Sequence, residues 1–243
     1  MTLHEFPAII QGTDEWHDQR RGIVTASVVG QLVGVRPPGP FDFTCPSCDA
    51  PASSQCISKV KRNGVEGALL KNAHPERISF AARNADQVEG KIEPLANDYS
   101  RSLTAILVAE RINGWTDPQY INDDMMRGTM DEPRARDKYG ERYAPVTETG
   151  FMVRDDWGFQ IGFSPDGLVG DEGLIEAKSR RPKKHLQTIL ANEVPAANMA
   201  QIQCGLLVSG RDWCDYLSFC GGMPLYVKRV LPDKRWHDAI IAA

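Results

Sequence analysis

Ser164-Pro165-Asp166-Gly167-Leu168 and, a short way on, Glu176-Ala177-Lys178 carry the most specific chemistry in this chain. Pro-Asp-Gly is turn chemistry, so Asp166 is expected where the chain leaves one strand. Glu176 and Lys178 stand two apart in a strand-like run and therefore project from one face. Two carboxylates and an ammonium can then converge on one spot. Hard oxygen ligands of this kind suit Mg²⁺ or Mn²⁺, which keep several waters and accept a few carboxylates together with phosphate oxygens. Such an ion acidifies a bound water and neutralises phosphate charge, and Lys178 would orient the water or stabilise developing charge. An isolated match of this form also describes a turn aspartate beside a solvated strand face.

Working outward, three strand-like runs near 147–154, 158–164 and 173–178 are expected to form an antiparallel meander. Helical periodicity covers 98–113, where Ser100 is a candidate cap, and 123–142, where Pro133 marks a kink or a helix start. It returns at 183–191 and 196–208, and further strands are expected at 213–219 and 225–230. The segment Gly12–Val35 reads as a loop followed by a helix, with Thr25 or Ser27 at its start. From Arg36-Pro-Pro-Gly-Pro to about Asn97 the composition changes and apolar periodicity is poor until Ile78. The order of elements is that of an α/β or α+β domain with a mixed central sheet flanked by helices. The expected organisation is one core, residues 1–35 and 97–243, interrupted by a small module at 36–96.

Among the 243 residues, 28 Lys and Arg face 32 Asp and Glu, a net charge of -4, so any nucleic-acid surface has to be local. One candidate is the run Lys178, Arg180, Arg181, Lys183, Lys184, His185, which contains no acidic residue and would lie beside the carboxylates. No apolar run reaches the roughly 18 residues of a membrane span, and the first residues lack a basic segment followed by an apolar one. The expected location is the cytoplasm.

In such a reducing compartment clustered cysteines favour metal over disulfides. Cys45, Cys48, Cys56 and His74 give the pattern C-x2-C-x7-C-x17-H. Three thiolates and an imidazole complete the tetrahedral set that structural Zn²⁺ accepts, although the long last gap lets His17 or solvent stand in for His74. The module is similar to small phage and actinobacterial zinc-finger modules of the DNA-binding kind. Over residues 57–85 six basic residues (Lys59, Lys61, Arg62, Lys71, Arg77, Arg83) meet two acidic ones (Glu66, Glu76), so either contact with duplex or displaced strand or a purely structural staple is open. Cys204, Cys214 and Cys220, in apolar surroundings, read as buried thiols.

Five stretches, the two opening motifs among them, occur in a meaningful order. Gly12-Thr13-Asp14-Glu15-Trp16-His17-Asp18-Gln19-Arg20-Arg21-Gly22 with Thr25-Ala26-Ser27, Met126-Arg127-Gly128 with Glu132-Pro133-Arg134-Ala135-Arg136, the two opening motifs, and Met199-Ala200-Gln201-Ile202-Gln203 together resemble the phage lambda exonuclease / YqaJ-type viral recombinase family. The resemblance spans about 10–35 and 97–231. It implies a PD-(D/E)xK restriction-endonuclease-like nuclease fold acting on DNA ends. Asp166 and Glu176, with the carbonyl of Ala177, would hold Mg²⁺ or Mn²⁺, two ions by the resemblance. Glu132 would be the additional acidic ligand, Lys178 the catalytic lysine, and Gln201 would position water or Lys178. Arg20, with Arg21 beside it as a rival, would contact the terminal 5′ phosphate, aided by Thr25 and Ser27. Arg180, Arg181, Lys183 and Lys184 would touch the DNA backbone, and Trp16 would support the loop. The resemblance further implies 5′ to 3′ digestion of duplex DNA to expose 3′ single strands, a trimeric ring, a single-strand annealing protein as partner, and a phage protein working in the bacterial host cytoplasm. One departure from the family is expected: the chain is short after Val230, where family members can carry another helix. The rival functions are a structure-selective or single-strand nuclease using the same site, and an inactive zinc-finger DNA-binding protein.

Overall fold

The computed structural model describes residues 2–60, 67–118 and 120–243, and the chain divides into two compact units, Met1–Gly34 with Pro94–Ala243, and Val35–Glu93. The chain runs through β1 (Leu3–Phe6), α1 (Asp14–Arg20) and β2 (Val24–Thr25), then through β3 (Val33–Arg36) into the smaller unit, which holds α2 (Pro75–Asn84), and back through β4 (Lys91–Pro94). There follow α3 (Asp98–Asn113), α4 (Asp123–Arg142), β5 (Phe151–Arg154), β6 (Ile161–Phe163), β7 (Gly167–Val169), β8 (Gly173–Ser179), α5 (Pro182–Ala191), α6 (Ala196–Ser209), β9 (Trp213–Phe219), β10 (Tyr226–Val230) and α7 (Lys234–Ala242).

The class is mixed α+β, and the mixed sheet is built as two four-stranded sheets ordered β1-β5-β6-β2 and β10-β9-β8-β7. In the first, β5 is antiparallel to both neighbours and β2 runs parallel to β6. In the second, parallel β8 and β9 are flanked by antiparallel β7 and β10. A parallel pair needs a long crossover, and α5 and α6 supply it. β9 and the first half of β8 are buried and largely apolar, as strands covered on both faces are. Ile175, Leu217 and Phe219 pack with Ala135 and Tyr139 of α4. Asp215 of β9 accepts from Tyr139 Oη (2.7 Å) and from Arg229 Nε (2.8 Å), tying α4 and β10 to the central pair. α6 packs on β5, β6 and β9, and Gly205 makes this close, since a Cβ there would lie 2.8 Å from Phe163.

The expected meander holds only for its first hairpin. After β6 comes Ser164-Pro165, whose proline cannot donate to a ladder and restricts the residue before it, and the chain changes sheets there. Asp166 thus sits at the switch, one residue before β7. The N-terminal helix also lies elsewhere than expected. Thr13 Oγ1 accepts from Trp16 N (3.4 Å) and caps α1, whose first turn carries Asp14 and Glu15 at the positive end of the helix dipole. Val24 and Thr25 instead join the sheet, and residues 29–31 make a single 3₁₀ turn. Asn97, not Ser100, caps α3; Ser100 is its capping-box partner, with reciprocal bonds of 3.0 Å. α4 does not start at Pro133 but runs through it. After Val230 the chain forms α7, capped by Asp233 and packed through Trp236, Ala239 and Ile240. Among the described residues no helix is long and apolar enough to cross a membrane.

Candidate active site and metal centre

The antiparallel pairing of β7 with β8 brings Asp166 beside Glu176-Ala177-Lys178. Asp166 Oδ2 accepts from the Ala177 N–H at 2.7 Å. Lys178 Nζ lies 2.5 Å from Oε1 of Glu176, whose side chain is only 2 % exposed. From α4, Arg136 Nη1 donates both to Glu132 Oε1 (2.7 Å) and to the Asp166 carbonyl (2.8 Å), which fixes Glu132 against the same strand pair. The Arg136 Nη2 stands 3.0 Å from Glu148. Burial, then the charges of Glu176 and Glu132, hold the Asp166 carboxyl well above the ordinary carboxylate range. Burial raises Glu132 as well; Arg136 opposes the shift while Glu176 and Glu148 add to it. Burial disfavours the Lys178 cation, but the charges of Glu176 and Asp166 outweigh it and its pKa rises. Asp166 and Glu132 are both raised by burial and by the charge of Glu176 beside them, a repulsion that a divalent cation would relieve, so the chemistry of this hard-oxygen donor set suits such an ion. In the sequence the only signal for Arg136 is its spacing of four from Glu132 on a helix.

Arg20 lies at the end of α1 with its guanidinium 3.9 Å from the centre of the Trp16 ring. Its Nη2 donates to Thr25 Oγ1 (3.3 Å) and Ser27 Oγ (3.0 Å). Trp16 Nε1 donates to Ser164 Oγ at 2.8 Å, two residues before Asp166, so the N-terminal motif and the acidic motif are physically joined. Burial lowers the Arg20 pKa to about 10, against the pull of Glu110. No helix starts at Thr25; the two hydroxyls orient Arg20. Arg21 pairs with Asp18. The turn after Arg20 is clamped from α3, where Glu110 Oε2 accepts from Gly22 N (2.8 Å) and Arg111 Nε donates to the Gly22 carbonyl (2.5 Å).

The basic run after β8 is uneven. Arg180 Nη2 donates to Asn198 Oδ1 (2.5 Å) and Tyr216 Oη (3.2 Å), and Arg181 is paired with Asp124 (2.9 Å). His185 is buried between Ser218 Oγ (2.8 Å) and the Pro224 carbonyl (3.0 Å), which removes it from the surface. Lys183 and Lys184 are exposed in the first turn of α5, where the helix dipole disfavours cations and favours an incoming anion. Gln201 is half-buried on α6, and its side chain makes no hydrogen bond among the described residues. Its neighbour Gln203 is structural, donating to the Leu231 carbonyl (2.9 Å) and accepting from Asp233 N (2.8 Å).

In the smaller unit the ligand atoms of Cys45, Cys48, Cys56 and His74 all lie within 4.8 Å of one another. Cys45 Sγ is 3.4 Å from His74 Nδ1, close to the edge of about 3.6 Å that a tetrahedral zinc with ordinary bond lengths requires. His74, at the start of α2, is therefore placed to complete a four-ligand set, and His17 stands exposed on α1. Burial pushes the Cys56 thiol up, but hydrogen bonds from the His74 N–H and Arg77 bring it down to about 7. Cys48 is lowered, chiefly by the Ile57 N–H, and burial raises Cys45. None of the six cysteines forms a disulfide. Burial pushes Cys204 up to about 12 and Cys214 well above the ordinary range, as expected of core thiols. Of the six basic residues at 57–85, Arg77 is fully buried, while Lys61 and Arg62, together with the acidic Glu66, lie outside the described residues.

A mixed α+β fold with an Asp, a Glu-x-Lys strand and a helical Glu drawn together, and a separate Cys₃His cluster that fits Zn²⁺, defines a phage-type exonuclease-like protein with a zinc-binding module. The chain belongs to the YqaJ-like viral recombinase domain family, whose model matches residues 72–212. Residues 11–91 match a family described as "Putative DNA-binding phage zinc finger domain". The alkaline exonuclease LHK-Exo of Laribacter hongkongensis is similar in structure, with a TM-score of 0.63 and 25% identity over 95% of this chain and 88% of that one. LHK-Exo in complex with dAMP matches with a TM-score of 0.62 at the same identity and coverage. A search of curated proteins finds no match.

Proposed function

We propose that the protein is a divalent-metal-dependent DNA exonuclease that digests duplex DNA 5′ to 3′, leaving 3′ single strands for phage recombination. The observation that carries this reading is the mutual approach of Asp166, Glu176, Glu132 and Lys178 at the sheet switch. Asp166, Glu176, Glu132 and the Ala177 carbonyl would hold Mg²⁺ or Mn²⁺, as one ion or two. Bound there, the metal would supply an acidified water and neutralise phosphate charge. Lys178, held on Glu176, is placed to orient that water, with Gln201 as a further donor. Arg20, stacked on Trp16 and set by Thr25 and Ser27, presents a planar fork suited to a terminal 5′ phosphate. Lys183 and Lys184, with Arg180 and Arg181 at the margin, provide the positive surface for the DNA backbone.

On this reading residues 1–35 and 97–243 form the nuclease core, residues 36–96 are a zinc-stapled module that touches the duplex or the displaced strand, and the protein works as a trimeric ring in the host cytoplasm beside a single-strand annealing protein. The membership in a viral recombinase family and the likeness to an alkaline exonuclease support it. Digestion of duplexes labelled at either end tests activity and polarity together. With Mg²⁺ the 5′ label should appear at once as mononucleotide while the 3′-labelled strand shortens steadily. Early release of the 3′ label as mononucleotide overturns the polarity, and cleavage confined to single strands or junctions favours the structure-selective nuclease.

A further inference from the structure

Arg77 is the largest fully buried side chain among the described residues, with no exposed surface. From the third position of α2 it donates through Nε to the carbonyls of Pro40 and Phe43 (2.9 Å each), through Nη1 to the Ser54 carbonyl (2.8 Å) and Cys56 Sγ (3.3 Å), and through Nη2 to the Pro51 carbonyl (2.9 Å). Its guanidinium carbon is 5.0 Å from the centre of the Phe41 ring. None of these five hydrogen bonds goes to a carboxylate. Carbonyls satisfy the N–H groups but carry no net charge, and a buried cation without a counter-charge is strongly disfavoured. The one acceptor able to carry charge is the thiol of Cys56, a zinc ligand. Three thiolates and a neutral imidazole around Zn²⁺ leave one net negative charge, equal and opposite to that of the guanidinium.

We propose that Arg77 is the counter-ion and positioning residue of the zinc centre. It neutralises the tris-thiolate ion through Cys56 and, with the same fork, ties down the loops at 40–43 and 51–56 that carry the cysteines. A lysine has neither the reach nor the number of fixed donors for this. The placement follows from sequence, because His74 and Arg77 are three apart at the start of one helix and so lie on one face. Arg77 is then no DNA contact, and zinc binding is coupled to the folding of the whole module.

The inference rests on the zinc reading, and the test separates the two. Elemental analysis of the purified full chain comes first, and a zinc-free wild-type protein defeats the zinc reading itself. With zinc present, competition by a chromogenic chelator is measured for wild type, Arg77→Met and Arg77→Met/Cys48→His. Arg77→Met should lose zinc at chelator concentrations roughly tenfold to a hundredfold lower, the usual cost of removing a group that supports a ligand. Cys48→His turns the centre into a neutral Cys₂His₂ site, so in the Arg77→Met background it should restore part of the retention. A merely structural role for Arg77 predicts no such rescue. Retention by Arg77→Met equal to wild type, or a double variant no better than Arg77→Met, overturns the proposal. Should Arg77→Met prove insoluble, a soluble, zinc-loaded double variant supports it and an insoluble one overturns it.

Discussion

Asp166 is poised between two demands. Its Oδ2 is satisfied by the Ala177 N–H, yet its ionised form is disfavoured by burial and by Glu176 and Glu132. An Asn can still accept from Ala177 while removing one charge from the cluster. Asp166→Asn should therefore cut Mg²⁺-dependent cleavage by roughly 10³-fold or more and, without divalent metal, raise Tm by about 2–4 °C. End-labelled digestion and a thermal melt in chelator check the two halves, and a metal-free variant less stable than wild type would contradict the repulsion argument. The same residues set a pH dependence. Carboxyls whose folded-state pKa is raised, Asp166 and Glu132, bind more protons folded than unfolded, so stability falls as pH rises from the ordinary carboxylate range near 4 through the raised values. The Lys178 shift runs upward and matters only above the ordinary lysine range. Mg²⁺ should offset this loss, so the Tm gain on adding it grows with pH over the window, and a gain independent of pH counts against the acidic cluster as the metal site. At this scale Glu176 and Lys178 were legible because a strand's period of two places them together. Glu132 and Gln201 came from family resemblance alone, and the bridging part of Arg136 was hidden because an Arg four residues from a Glu is ordinary on any helix.

Among the elements, α1 and its turn decide where Arg20 points. Gly22 has φ +70, and a Cβ there would fall 2.5 Å from Arg111 Cγ, on the side chain that bonds the Gly22 carbonyl. Gly22→Ala should cost about 1–3 kcal/mol of stability and, by displacing the turn, weaken use of the 5′ phosphate. The expected result is a raised KM for 5′-phosphorylated duplex with little change for a 5′-hydroxyl end. Equal effects on both ends would detach the turn from the phosphate. Longer elements were readable in advance: α3, α4, α6 and β9 occupy the stretches that their periodicity marked. The first helix was misplaced because Val28, Val29, Leu32 and Val33 repeat at helical spacing, whereas tertiary pairing drew Val24 and Thr25 into a parallel ladder with β6. β1 and α7 went unread, since a four-residue edge strand and a nine-residue terminal helix owe their form to what they pack against.

For the whole molecule, the net charge of -4 means that affinity for a polyanion comes from a few placed cations. The chain spends most of its arginines on itself: Arg36, Arg127, Arg136, Arg154, Arg180, Arg181 and Arg229 are all bound to internal partners. Lys183 and Lys184 are exposed, without an ion pair among the described residues, and sit at the end of α5 that favours anions. If each neutralises one phosphate, replacing both by Ala should lower the slope of log affinity against log salt by about 2, close to 0.9 per contact, and weaken binding to all duplex sequences alike. Titration of a fluorescent duplex in chelator at several NaCl concentrations measures it, and an unchanged slope removes the pair from the DNA surface. His185, one residue on, provides the contrast that makes the result specific. It is buried with both ring nitrogens engaged, so His185→Ala should cost about 2 kcal/mol or more in stability and leave the salt slope of the folded protein unchanged. A contiguous basic run in sequence is thus split by a helix's geometry into one core residue and two surface charges. That split follows from the packing of α5 on β9 and not from the composition of the run.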